Sequence, residues 1–335
     1  MAINFSSEKY IPKFSGHETF PLRFGWLKKC FDALQETNPN PFKDESAIAR
    51  FGVGKNMVTS MQYWAEATGV IETDRIVTTE GKRESVVKAT EFGSAILHDN
   101  GYDPYLEDPS SIWLLHWNLI SAAQLTTWHW SFNYFNSPEF DREQILRSLV
   151  QLASNRGWAN RAAFATLKRD IECLTRSYCA KDTENHESLE SALESPFVEL
   201  NLIIPTGKRD GFRFNIGDKT NLTSEVVCFA VMDYWREIIA TSDNEFKGAM
   251  STSLSAEKVI FEPGSPGKTF LLNEDIMTTH LEQLEKITDG LLQFSDDSGI
   301  KQIRRKSEIK EKNIRAVLEK IYSSEPLGSE IKDAS

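Results

Sequence analysis

Apolar residues recur three and four apart in several stretches of this chain, and each recurrence predicts a helix with one buried face. Trp26, Leu27, Cys30, Phe31 and Leu34 mark the first, with Lys28 and Lys29 on its other side. Turn-like Ser15-Gly16 and then His17-Glu18-Thr19-Phe20-Pro21 precede it, and Asn38-Pro39-Asn40-Pro41 stops it. Asp44 caps a short helix from Ser46 to Phe51, and Gly52-Val53-Gly54 makes a tight turn. A second helix opens at Lys55-Asn56, places Met57, Val58, Met61, Trp64 and Ala65 on one face, and ends at Gly69, a left-handed cap position. The period then changes to two. Asp74 to Thr79 and Ser85 to Ala89 read as strands around the turn Glu80-Gly81-Lys82-Arg83, and Thr90 to Leu97 closes as a short helix.

Helix, glycine turn, helix, hairpin, helix is the order of a winged helix, a DNA-binding unit between about residues 40 and 98 that with the N-terminal helix makes a domain over 1–98. With the apolar face of the second helix inward, Lys55, Asn56, Thr59, Ser60, Gln62 and Tyr63 remain for a groove. Lys82 and Arg83 stand where a wing meets the phosphate backbone. The hairpin region from Glu72 to Glu91 holds five acids and four bases, so a protein-binding wing stays open as an alternative.

The rest reads as a helical, aromatic-rich domain over 99–180 and a C-terminal α+β domain over 196–335, making the fold class mainly α (α+β) with small β elements. Ile112-Trp113-Leu114-Leu115-His116-Trp117 and Thr127 to Phe135 are too aromatic for a surface, and their histidines read as satisfied core residues. Arg142 to Leu152 and Asn160 to Tyr178 form a helical pair; Lys181 to Glu194 is an acidic loop. Pro196 to Ile204 and Phe212 to Ile216 alternate like strands around Gly207 to Gly211, and Thr223 to Ile239 is an apolar helix. Phe270-Leu271-Leu272 reads as a strand before a helix from Asn273 to Leu291. Lys301 to Lys320 is a basic helix or tail, with eight bases and three acids. It is either a solvated face or a second nucleic-acid contact.

Composition narrows these readings. A net charge of −11 over 335 residues argues against a protein that coats nucleic acid indiscriminately. A local basic patch stays effective, because screening at ordinary salt confines charge effects to about 8–10 Å. Cys30, Cys173, Cys179 and Cys228 form no CxxC pair, which favours buried thiols over a zinc ribbon. No signal peptide and no run of about 20 apolar residues is present, so the expectation is a cytoplasmic protein without a membrane partner.

No P-loop, dinucleotide fingerprint, HExxH or GxSxG occurs. A metal-dependent nuclease needs two or three convergent carboxylates. Candidates are Asp108, within the cluster Asp103, Glu107 and Asp108, and the pair His17-Glu18. Each also has a structural reading, as a helix cap and as a hydrogen-bonded turn.

The run Phe14 to Leu27, the run Phe51 to Val58 with Tyr63-Trp64 after it, Trp113 to Leu119, and Pro266 to Leu272 together resemble a bacterial family of formerly unknown function. Its members sit beside sulfur-transfer enzymes of the phosphoadenosine-phosphosulfate reductase type, in DNA phosphorothioation systems used against phage. The resemblance implies a DNA-binding component of single-strand phosphorothioation machinery, to which strand nicking is assigned. It marks Gly54, Lys55 and Asn56 as DNA contacts and His17 and Glu18 as functional residues. The implied cofactor is Mg²⁺ or another divalent metal, if the component nicks. The implied partners are double-stranded DNA, a sulfur-transfer enzyme and an ATPase, with a homodimer also open. A non-catalytic DNA-recognition adaptor remains an alternative. So does a transcriptional regulator, which fits the winged helix but not the long aromatic remainder.

Overall fold

The computed structural model describes residues 5–7, 10–35, 38–77, 81–179, 195–208, 210–241 and 252–323. The apolar stripe at Trp26 becomes α1 (Trp26–Ala33), which buries Trp26, Leu27, Cys30 and Phe31. α2 (Ala47–Phe51) ends at Gly52, whose φ of 68° lets the chain turn at once into α3 (Lys55–Ala67). Val58, Met61, Trp64 and Ala65 of α3 are buried. β1 (Ile71–Val77) and β2 (Arg83–Ala89) pair antiparallel with Ile71 opposite Ala89, so the hairpin starts three residues earlier than Asp74. Thr90 caps α4 (Glu91–Leu97) by accepting from the Gly93 N–H at 2.8 Å. Gly93 lies so close to the first strand that a Cβ there would sit 2.1 Å from the Val70 carbonyl oxygen.

α5 (Pro109–Ser121) and α6 (Thr126–Asn133) carry the aromatic runs and are buried almost all round. Trp64 of α3 meets Trp128 edge to face at 5.5 Å and Phe197 at 6.4 Å, so the first unit is fused to this aromatic core. The core histidines are satisfied, as expected. The two ring nitrogens of His116 bond the Tyr178 hydroxyl and the Thr269 carbonyl, each at 2.8 Å. His129 Nδ1 donates to the Ile120 carbonyl at 2.7 Å. α7 (Arg142–Asn155) and α8 (Phe164–Tyr178) follow, and α8 starts four residues beyond Asn160. The segment Lys181 to Glu194 lies outside the described residues.

Pro196–Leu200 is a 3-10 helix rather than a strand: Phe197 and Leu200, both buried, sit at its three-residue period. The alternation survives only as β4 (Ile203–Pro205), which joins β3 (Glu139–Asp141) and β5 (Gly211–Phe214) in the order β3-β5-β4. α9 (Ser224–Thr241) is followed by β6 (Ser253–Ser255), α10 (Ala256–Phe261) and α11 (Pro266–Thr269). Phe270 to Leu272 is not a strand, because Leu271 takes a left-handed φ of 54° as the chain leaves α11. The long helix expected from Asn273 divides into α12 (Glu274–Leu281) and α13 (Leu284–Ile287). The basic segment is not one helix. It spans β8 (Ile300–Arg305), in a sheet of order β6-β8-β7 with β7 (Leu292–Asp297), and α14 (Glu311–Ser323).

Candidate nucleic-acid interface

The motif from Phe14 folds as a tight loop. Ser15, Gly16, Glu18 and Thr19 all have positive φ, from 47° to 101°. Such backbone persists only where surroundings over-determine it, and here a buried hydrogen-bond knot does so. His17 Nδ1 accepts from the Thr19 N–H at 3.0 Å, so the ring proton is on Nε2, which donates to Asp170 Oδ1 at 3.0 Å. The Ser15 N–H donates to the same oxygen at 2.9 Å, and the Thr127 hydroxyl to Oδ2 at 2.7 Å. The His17 carbonyl accepts from the Phe20 N–H at 2.8 Å and the Ser60 hydroxyl at 2.9 Å. On the far side, the Arg176 guanidinium donates to the Thr19 carbonyl at 3.2 Å. Gly16 lies on the Tyr63 ring, where a Cβ would come within 2.6 Å. The loop is thereby fixed to α3 through Ser60 and Tyr63, and to α8 through Asp170 and Arg176. His17 is buried and Glu18 exposed.

Asn56, Thr59, Ser60 and Tyr63 share one stripe of α3, at spacings of three, four and seven. The loop covers the last two. Ser60 therefore does not face a groove: it is fully buried, and its hydroxyl is committed to His17. Gln62 is half-buried and donates to Glu66 Oε1 at 2.9 Å, beside Thr73 of the hairpin. Lys55, Asn56 and Thr59 stay exposed. The residue before α3, Gly54, is extended and supplies no side-chain cap, and its carbonyl takes the Met57 N–H at 2.9 Å, which leaves the Lys55 and Asn56 N–H groups without a helix partner. Lys82 and Arg83 are exposed at the start of β2, while Lys88 is held by Glu72 at 3.3 Å and Asp74 at 2.8 Å. Thr78, Thr79 and Glu80 of the turn lie outside the described residues.

Asp108 belongs elsewhere. It is the N-cap of α5, accepting from the Ser110 N–H at 2.8 Å. Its own N–H donates to buried Asp103, which also takes the Glu107 N–H and the Ser111 hydroxyl. The two sets of partners, one around His17 and one around Asp108, have no residue in common. The Asp103 and Asp108 carboxylates are committed to the turn and cap that open α5, while the Glu107 side chain is exposed. Among the described residues no three His, Cys, Asp or Glu side chains gather where a metal ion could be held. Nor does any described helix have the length and apolarity to cross a membrane.

The basic block near the C-terminus is partly neutralised by acids elsewhere in the fold, while Arg304, Lys306, Lys310 and Lys312 stay exposed. Lys301 pairs with Glu274 at 2.8 Å, Lys320 with Asp289 at 2.8 Å, and Arg315 with Glu91 at 2.6 Å. Arg305 is buried, 5.6 Å over the Trp235 ring. Asp170 is the residue that pattern reading missed. It lies 153 residues from His17, and nothing in its local sequence marks it out.

A family model described as "Protein of unknown function (DUF4007)" matches residues 14–322. Two solved structures share 27% identity with the chain at a TM-score of 0.80, covering 94% of it and 90% of their own length. One is an SspB crystal structure and the other a magnesium ion-bound SspB crystal structure. No curated protein matches.

Proposed function

The chain belongs to the DUF4007 family and is SspB-like over nearly its whole length, and from that premise we propose that it is the DNA-recognition component of a bacterial phosphorothioation and phage-defence system, reading duplex DNA through a winged helix. The observation that carries this is the exposed, uncapped start of α3, with Lys55, Asn56 and Thr59 on its open side. Free N–H groups, the helix dipole and an exposed lysine all favour a phosphate there. Exposed Lys82 and Arg83 on the hairpin supply the wing contact.

Lys55→Ala should weaken duplex binding in a gel-shift titration and lower the salt slope by about one. Unchanged affinity and slope would remove α3 from the interface.

A second reading, strand nicking, draws support from two observations: a neighbour of the same fold binds magnesium, and Glu18 is exposed on a strained loop. The described residues offer the ion no three-ligand site, so no step is assigned to it. Supercoiled plasmid incubated with Mg²⁺ or Mn²⁺ separates the readings. A recognition component leaves it supercoiled. A nickase relaxes it, and Glu18→Ala should then abolish relaxation while duplex binding persists.

A further inference from the structure

We propose that the exposed face of α8 is a second phosphate-binding track, adjoining α3 across the loop at residues 15–19, so that one DNA duplex rests on both helices. The inference builds on the DNA-binding reading above.

The first observation is charge. The chain has 49 acids in 335 residues, yet residues 144–169 contain none and hold five bases: Arg147, Arg156, Arg161, Lys168 and Arg169. Two of the five are already engaged. Arg147 pairs with Glu143 at 3.0 Å, and Arg156 lies 5.6 Å over the rings of Phe5 and Trp158. The other three are exposed. Arg161 and Arg169 form no ion pair among the described residues. Lys168 has only Glu172, a surface contact at 3.9 Å worth well under about 1 kcal/mol.

The second observation is placement. α8 buries Leu167, Asp170, Ile171 and Leu174, which turns Lys168, Arg169 and Glu172 outward, with Arg161 just before the helix. Asp170 and Arg176 bind the loop from the α8 side, and Ser60 and Tyr63 hold it from the α3 side. Asn56 and Thr59 of α3 therefore border one edge of the loop, and the basic stripe of α8 borders the other. In a protein of net charge −11, a basic stripe with one weakly held acid beside it, next to a helix start suited to phosphate, matches a polyanion that spans both. The partner is the phosphate backbone of duplex DNA, contacted without base reading.

The test is a salt series of duplex titrations with three proteins: the unaltered chain, Lys55→Ala, and a triple variant of Arg161→Ala, Lys168→Ala and Arg169→Ala. Each lost phosphate contact lowers the slope of log affinity against log salt by about 0.9. The triple variant should therefore lose about 2–3 in slope and roughly tenfold or more in affinity at moderate salt. The double variant Arg161→Lys and Arg169→Lys should retain the unaltered slope, because a phosphate contact needs only the charge. If Lys55→Ala weakens binding while the triple variant matches the unaltered chain in slope and affinity, the α8 track is overturned and the α3 reading stands. If the unaltered chain binds no DNA, both fall together.

Discussion

Asp170→Ala should lower the unfolding free energy by about 3–5 kcal/mol, because three buried donors would be left without an acceptor. Asp170 and His17 are each no more than 1% exposed, so water cannot replace the lost carboxylate. Three donors would lose their acceptor: the His17 Nε2–H, the Ser15 N–H and the Thr127 hydroxyl. Bonds to a charged acceptor contribute about 1.5–3 kcal/mol each, and an orphaned buried donor bears its full desolvation cost. The positive φ values of the loop would then lack their restraint, adding strain relief as a second drive toward opening. Asp170→Asn should cost less, about 1–3 kcal/mol, since one oxygen remains while an N–H₂ now faces a donor. Urea unfolding of the two variants checks the order. A loss below about 1 kcal/mol in the alanine variant would mean that the knot does not hold the loop.

Stability should fall steeply as the pH drops from about 7 to 5, because of two core histidines. Burial pushes the His116 imidazole down to about 3, against a smaller opposing pull from the Thr269 carbonyl. It pushes His129 down to about 4, opposed by the Ile120 carbonyl. Both folded values lie below the ordinary 6.5, so the unfolded chain binds these protons first. The contribution is complete above about pH 6.5 and is lost progressively toward pH 4 and 3. Near pH 5 unfolding takes up almost two protons from this pair, a slope of about 2.7 kcal/mol per pH unit. Asp233 opposes the trend, because burial raises its carboxyl despite the Trp117 indole N–H donating to it at 3.0 Å. Burial also raises Glu199 and Glu237, with the same sign. His129→Asn puts an amide N–H where Nδ1 meets the Ile120 carbonyl, and should remove about half of the slope. Stability that stays flat over this range in the unaltered protein would contradict the assignment.

Much of the first unit was legible in the sequence because its signals are local. The glycine turn at 52–54, the opening of α3 at Lys55 and the hairpin follow from φ freedom and from a change of period. The aromatic runs had to be buried, and they are. Legibility failed where a side chain's partner lies far along the chain. Ser60 reads as outward by polarity, but a loop forty residues earlier covers it. Lys301 to Lys320 reads as one basic segment, but Glu91, Glu274 and Asp289, all distant in sequence, pair with three of its eight bases. The bases before and within α8 are scattered singly among apolar and polar residues rather than in one run, so only the folded helix shows which of them share its exposed side.

By itself, then, the sequence determined the order of helices and strands in the first unit, the start of α3 at Lys55, and the apolar mass that must form the core. Those depend on backbone freedom and on burial, which act over a few residues. Tertiary structure alone decided which polar groups stay exposed. Hydrogen bonds and ion pairs join residues by position in space, so only the folded chain could commit His17 to Asp170, bury Ser60 under the loop and leave Lys55, Lys168 and Arg169 facing outward.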